Sequence, residues 1–459
     1  MRMNLDDLVS LCKRRGFVYA GSAIYGGLQG FFDYGPLGVE LKNNIKKAWW
    51  KEIIYMRSDV YGLDSATILH EAVLNYSGHA DTFHDVLIDC KDCKVRFRDD
   101  ESKDGKCPKC GSTNLSDARN FNLMMHVNLG PTGSTTGVLR PETAQGIFIN
   151  FKNVCDSFSP SLPFGIAQVG KAYRNEITPR NFVFRCREFE QMELEYFVRE
   201  EESEKFFEYW IEQRVAWWKK IGVKNIQLQK QGDKDLAHYS KATTDICFEF
   251  PHGLEEIEGI ANRGDFDLGS HTKAQDQFDI KSKVKENKQS VDKLCIHEEQ
   301  NKFIPNLIET SAGLDRAFLA VLSAAYNEEQ INEKDKRIVL KFHPSIAPIK
   351  AAIIPLAKNN SEIVGYAKSL FAKLKAEEIF PVVLESGGNI GKCYHKHDEI
   401  GTPFCVTIDF DTIGQNNDTE ENNDTTELKD TFTVRNRDTM EQTRMTEAEF
   451  ISFLKEAIR

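Results

Sequence analysis

The chain predicts an α+β fold in two parts, a large mixed domain with insertions over residues 1–340 and a compact α/β domain over residues 345–459. Three patterns predict it. From Arg185 to Phe197 side chains alternate between polar and apolar as on a half-buried strand. The segments 36–53 and 203–222 carry apolar residues at helical spacing. After Pro344, short apolar runs alternate with amphipathic stretches, as in a mixed sheet covered by helices.

Taken in order, the glycine-rich GFFDYGPLG leads into an amphipathic helix with Leu41, Ile45, Ala48, Trp49 and Ile53 on one face. Such a stripe fits an ordinary core as well as an interface between subunits. An insertion over 86–116 follows, in which Cys90, Cys93, Cys107 and Cys110 form CxxC-x13-CxxC. Four thiolates at this spacing suit a tetrahedral zinc, and so short a segment would hardly fold without a metal. An iron site and free thiols are the other readings. A closed set of four has no open position, so the expected role is structural. The other cysteines, Cys155, Cys247 and Cys405 among them, lie in apolar surroundings and read as core.

The richest segment is YRNEITPRNFVFRCREFEQMELEYF, from Tyr173 to Phe197. It reads as strand, loop and strand, with the turn at Thr178 to Asn181. On the second strand Arg185, Arg187, Phe189, Gln191 and Glu193 share one face, and Cys186, Met192, Leu194 and Tyr196 the other. Arg185, Phe189 and Glu193 are spaced about 13 Å apart at ~3.3 Å per residue: a cation, a flat ring, then an acid. That order suits phosphate, base and amine.

A second helix is expected over 203–222, with Ser203 as N-cap, Phe207, Trp210, Ile211, Trp217, Trp218 and Ile221 inward, and Gly222 as its stop. With its surroundings, about 200–245, it reads as a helical insertion. Residues 276–300 are polar and read as an exposed segment. Beyond Pro344, strands are expected at 351–355, 380–384, 404–409 and 431–435, helices at 363–374 and after a capping box at Thr446 and Glu449. The polar, acidic stretch 414–430 cannot build a core and reads as a surface loop.

Composition bounds the partners. With 459 residues and 41% apolar content the chain can build two or three cores. No membrane span is visible, and the N-terminus lacks the apolar run of a signal peptide, so a cytoplasmic protein is expected. Eleven cysteines in such a chain point to metal ligands or reduced core thiols rather than disulfides. A net charge of −11 gives no global pull on nucleic acid, leaving that to local patches such as Lys13-Arg14-Arg15.

The segment 173–197 resembles motif 2 of the class II aminoacyl-tRNA synthetases, where an Arg-x-Glu precedes a loop and an Arg-x3-Phe-x3-acid strand. ETSAGLDRAFLAVL resembles motif 3, and GFFDYGPLGVELKNNIKKAWWKEII is similar to motif 1, which forms much of the family's dimer interface. RPETAQGIF and LPFGIAQVGKAYRNE narrow the resemblance to the homodimeric glycyl-tRNA synthetases, and SGGNIGKCYHKHDEIGTPFCVTIDFD to their anticodon-binding domain. The resemblance implies an antiparallel class II sheet flanked by helices, glycine, ATP, tRNA(Gly) and Mg²⁺ as ligands, and a zinc knuckle serving the tRNA acceptor end. It places Arg98, Glu142, Phe189, Glu190, Gln191, Met192, Glu193, Arg263, Glu309, Thr310, Ser311, Ala312 and Gly313 around glycine. Around ATP it places Arg174, Asn175, Glu176, Phe184, Arg185, Cys186, Arg187, Glu188, Phe189, Glu256, Ile257, Gly313, Leu314, Asp315 and Arg316, with Arg174, Glu176 and Arg316 serving catalysis. No editing domain is implied; synthesis of diadenosine polyphosphates is a plausible side reaction. Thr310 stands where the family usually has Pro, and Cys393, His395 and His397 stand where Arg or Gln is frequent. The rivals are a class II enzyme for serine, threonine or proline, and a relative that has lost catalysis; the second would have lost Arg174, Arg185 and Arg316.

Overall fold

The computed structural model describes residues 4–232, 236–237, 239–277, 294–298, 301–332, 335–415 and 428–459. The larger part is built on one sheet of seven strands. In chain order these are β1 (Val60–Gly62), β2 (Phe164–Tyr173), β3 (Glu188–Val198), β4 (Ile226–Lys230), β5 (Ala242–Phe250), β6 (Gly253–Gly264) and β7 (Asn306–Gly313). Their spatial order is β4-β5-β6-β7-β3-β2-β1, antiparallel throughout except for the β2–β1 pair.

The alternation in β3 divides the sheet's two faces. Met192, Leu194 and Tyr196 point into the main core, together with Trp210, Trp217 and Trp218 of the helix Ser203–Lys220 and Phe318 and Leu322 of the helix Leu314–Ala325. The helix Pro36–Trp50 joins this core through Leu41, Ile45 and Trp49, and Ile53 follows in a π-helical turn, while Ala48 is half-buried. On the opposite face, Ile166 and Phe164 pack under the helix Ala144–Phe158, and the polar residues of β3 and β7 open into a cleft.

A buried ion pair ties the core side of the sheet together. Arg214 Nε donates to Glu258 Oε1 at 2.6 Å and Trp218 Nε1 to Oε2 at 2.6 Å, all three side chains being sealed from solvent. Ser203 is the first residue of its helix rather than its cap; a 3-10 turn, Glu200–Glu202, leads in directly. The stretch 200–245 is not a helical insertion, since the helix is followed by β4 and β5, which extend the main sheet.

The insertion holds a three-stranded sheet of His84–Asp89, Arg96–Arg98 and Arg119–Asn122, with the four knuckle cysteines at its end. The exposed segment expected at 276–300 lies for the most part outside the described residues, as does most of the 414–430 loop.

The C-terminal part has its own five-stranded sheet and core. Its strands are β8 (Ala351–Pro355), β9 (Val382–Leu384), β10 (Phe404–Ile408), β11 (Thr431–Asn436) and β12 (Gln442–Thr446), in the order β9-β8-β10-β11-β12. Helices Ser361–Ala376, Ile390–Glu399 and Glu447–Ala457 accompany it, the last opened by the expected capping box of Thr446 and Glu449. The helix Ile390–Glu399 and strand β12 escape sequence reading, because both are short and strongly polar. The two parts meet through the hairpin Tyr326–Gln330/Lys336–Leu340. From it, buried Arg337 donates to Asp398 at 3.1 Å and to the Arg437 carbonyl at 3.0 Å. In return, Arg437 donates to the Phe342 carbonyl at 2.7 Å.

Candidate active site

Two rows of residues cross the sheet and floor the cleft. The first runs Gln168, Glu193, Ser311, Gly259, Asp245; the second runs Ile166, Glu195, Glu309, Ala261, Thr243. Pairing register alone brings these side chains together from five strands, because partners across a ladder face the same side. The strand β6 needs a correction of register. Ile246 opposes Glu258 but Cys247 opposes Glu256, and the extra residue, Ile257, makes a bulge that re-aims the chain. Glu256 therefore lines the cleft, whereas Glu258 points to Arg214 on the far side.

The cleft has two connected chambers, each of about 190 Å³, that share Arg174, Gln191, Glu256 and Ser311. The first is cationic and aromatic. Arg174 lies over the Phe189 ring at 5.3 Å, Arg185 pairs with Glu176 at 2.9 Å, and Arg316 lies over Phe184 at 4.4 Å while contacting Glu256 at 3.2 Å. Asp315 anchors this chamber from beneath: it accepts hydrogen bonds from Tyr34, from Lys42 at 3.0 Å and from the Glu190 amide at 2.6 Å.

The second chamber is acidic. Glu193 accepts from Thr143, from Ser311 Oγ at 2.7 Å and from Gln191 Nε2 at 2.9 Å. Arg263 donates twice to Asp267 at 2.8 Å and once to Glu309 at 2.5 Å, with Tyr239 against its guanidinium at 3.6 Å. Glu142 pairs with His79 at 3.2 Å and accepts from Gln145 at 3.0 Å. The partner that buried Glu142 needs is thus supplied by the protein itself, in His79.

These charges are unequal. Glu142, Glu193, Glu195, Asp267 and Glu309 outnumber the cations near them: Arg263 and His79 pair directly with members of the group, Arg140 acts on Glu193, and Arg174 stands at the boundary with the first chamber. Burial opposes the charge on Glu142, but His79 and Arg263 outweigh it and hold that carboxyl low. For Glu309 burial wins: Arg263 offsets it only in part, Glu193 and Glu142 add to it, and the carboxyl is pushed up to about 7. Burial, with Glu142 close by, also raises Glu193. Acids thus outnumber cations in the chamber, which offers Ser311 and three carboxyl groups to a small cation.

Core models describing a "tRNA synthetase class II core domain (G, H, P, S and T)" and an "Anticodon binding domain" match residues 133–326 and 350–457. The chain is 49% identical to the glycine–tRNA ligase of Thermus thermophilus and 48% to that of Deinococcus radiodurans, covering 99% of each chain in both cases. It is 44% identical to that of Treponema denticola, over 100% of this chain and 98% of the relative. The chain belongs to the glycine–tRNA ligase family.

Among the expected site residues, Glu142, Arg174, Glu176, Phe184, Arg185, Cys186, Phe189, Glu190, Gln191, Glu193, Glu256, Glu309, Ser311, Gly313, Asp315 and Arg316 line the chambers. Arg263 stands behind Glu309. Met192, Ile257, Ala312 and Leu314 belong to the core, Thr310 is buried, and none of these five lines the chambers. Arg187 spends its guanidinium on the carbonyls of Glu176 and Gln29, Glu188 pairs with Lys171, and the Asn175 amide bonds the Leu123 carbonyl. Arg98 lies in the insertion, paired with Asp100 at 2.7 Å and Asp85 at 3.6 Å, and is not among the residues lining the chambers. Sequence reading did not single out His79, Thr143, Gln145, Tyr239, Asp245 or Asp267. Thr143 and Gln145 sit inside the quoted RPETAQGIF, but nothing local marks the others.

The knuckle cysteines fit a metal. All four Sγ atoms lie within 4.8 Å of one another, with 3.6 Å between Cys90 and Cys110 and between Cys93 and Cys107. Bonds of about 2.3 Å to a central zinc demand sulfur separations of about 3.8 Å in a tetrahedron. Of the positions singled out in the C-terminal part, Cys393 and His397 are buried, His397 bonding Thr402 and Glu385, so only His395 faces solvent. No helix among the described residues is long and apolar enough to cross a membrane.

Proposed function

We propose that the protein joins glycine to ATP, giving glycyl-adenylate and pyrophosphate, and then passes the glycyl group to the 3′ end of tRNA(Gly). The observation that carries this reading is the acid-rich chamber of Glu142, Glu193 and Glu309 opening, at Arg174, directly into the arginine-lined one. A glycine carboxylate oxygen attacks the α-phosphorus, the bond to the bridging oxygen breaks, and pyrophosphate leaves. A terminal ribose hydroxyl then attacks the glycyl carbonyl, releasing AMP as its proton passes to phosphate. No protein nucleophile is needed.

Arg174 neutralises the α-phosphate, Arg185 and Arg316 the outer phosphates, Phe189 carries the adenine, and Glu176 meets its edge once Arg185 turns to phosphate. Glu256, which pairs with Arg316 here, would hold Mg²⁺, and the ion would supply further positive charge beside the phosphates. Selectivity is steric: nothing among the standard amino acids is smaller than glycine, and three carboxylates around the ammonium leave no place for a β-carbon. Cys90, Cys93, Cys107 and Cys110 would hold a zinc that fixes the insertion. Exposed Tyr19, Ile24, Tyr25, Leu28, Tyr55 and Met56 beside the Pro36–Trp50 helix support a homodimer. The cytoplasm is the site of this work, and capture of the adenylate by a second ATP gives diadenosine polyphosphate as a side product.

ATP–pyrophosphate exchange with glycine, alanine and serine tests the reading. Exchange is expected with glycine alone, and Arg316→Ala should lower it by about a hundredfold or more. Exchange with serine, or with none of the three from zinc-loaded protein, would refute it.

A further inference from the structure

Glu195 belongs to no step described above, yet it is sealed directly beneath the chamber, beside Glu309. It sits in the second row between Ile166 and Glu309. Its exposure is 0%, and neither carboxylate oxygen has a hydrogen-bond partner. On one side lies the apolar cluster of Ile166, Phe148 and Phe197; on the other lie Glu309, Glu193, Arg263 and Asp267. The single guanidinium within reach is already committed to Asp267 and Glu309 through three hydrogen bonds. A charged carboxylate placed there would have no donor at all and three acids beside it, which proteins do not tolerate in a dry site.

We propose that Glu195 is a positioning residue of the ammonium chamber: an uncharged acid that fills the floor beneath Glu309 and leaves Arg263 to Glu309 and Asp267. This rests on the amine-binding reading of the chamber. Because Glu195 withholds its charge, it does not compete for Arg263, and Glu309 keeps both its ion pair and its exposure to the incoming amine. The chamber's attraction for a cation then comes from Glu142, Glu193 and Glu309, and Glu195 fixes where the last of these stands. Burial is the largest influence that keeps the Glu195 carboxyl protonated, with Glu309 next.

Two measurements test it. An infrared difference spectrum of ligand-free wild type minus Glu195→Gln at neutral pH should contain the carbonyl band of a protonated acid; loss of a carboxylate band in its place would overturn the proposal. In glycine-dependent exchange, Glu195→Ala should raise the KM for glycine about tenfold with kcat nearly kept, as Glu309 and Arg263 relax into the vacated volume, and Glu195→Gln should restore most of that loss. A tenfold rise in Glu195→Gln would instead mean a charged attractor and refute the uncharged assignment, and a wild-type KM in Glu195→Ala would refute positioning. If the alanine variant does not fold, the spectrum and the glutamine variant decide. Absence of glycine exchange in the wild type would strike the proposed function, while the infrared band still reports the charge of Glu195.

Discussion

Lowering the pH from 8 to 6 should weaken glycine binding about tenfold, because Glu309 attracts an ammonium only when ionised. Its carboxyl is pushed up to about 7 by burial, against the partial help of Arg263. The sign follows: as pH rises through 7 the group loses its proton and the chamber gains negative charge, so KM for glycine falls. With a titration near 7, roughly one molecule in ten is ionised at pH 6 and nine in ten at pH 8, a difference of about 1.4 kcal/mol in binding. Glycine keeps its ammonium over the lower half of this interval, so the slope there belongs to the protein. The assay is glycine-dependent ATP–pyrophosphate exchange at saturating ATP, with log KM plotted against pH. Glu309→Gln should raise KM at pH 8 and flatten the plot. A flat wild-type plot between pH 6 and 7.5, or an unchanged slope in Glu309→Gln, would refute the assignment. The same raised carboxyl makes its own contribution to folding stability largest at low pH; that contribution is lost as pH rises from its ordinary range through about 7.

Chelation or Cys110→Ser should remove one zinc per chain, read by elemental analysis, and should open the 86–116 segment to proteolysis first, since four thiols at 3.6 to 4.8 Å are what closes it. Arg214→Leu should cost about 3–5 kcal/mol by leaving Glu258 sealed in the core without its cation, seen in urea unfolding; the double variant with Glu258→Leu should recover much of the loss.

How much of this is written locally shows in β3 and β6. In β3 strict alternation puts Gln191 and Glu193 in the cleft and Met192 and Leu194 in the core, and the period of two survives folding. In β6 the same rule places Glu256 and Glu258 together, and the structure separates them, because the bulge depends on the register with β5 and has no local signal. Thr143 and Gln145 travel with their motif, whereas His79 reaches Glu142 across 63 residues of chain (142 − 79) and nothing near it in sequence announces the pairing. The capping box at Thr446 was legible to the residue, because its chemistry is confined to four positions. Ser203 misleads for the converse reason: a preceding 3-10 turn satisfies the helix start, so the hydroxyl is not required there.

The seam between the two parts behaves less like a hinge than like the locked arm of a caliper. Arg337 and Arg435 both grip Asp398, Arg437 grips the Phe342 and Gly401 carbonyls, and a β-carbon on Gly401 would come within 2.3 Å of the Phe342 ring. The Arg435 and Gly401 bonds brace the C-terminal side, while the buried Arg337–Asp398 and Arg437–Phe342 bonds cross the seam, so rotation there would break both. The span from the cleft to the C-terminal sheet is therefore a fixed length built into the protein. A long ligand that engages both ends must adapt its own curvature to that length, and a molecule with the right two ends at the wrong separation can occupy only one of them.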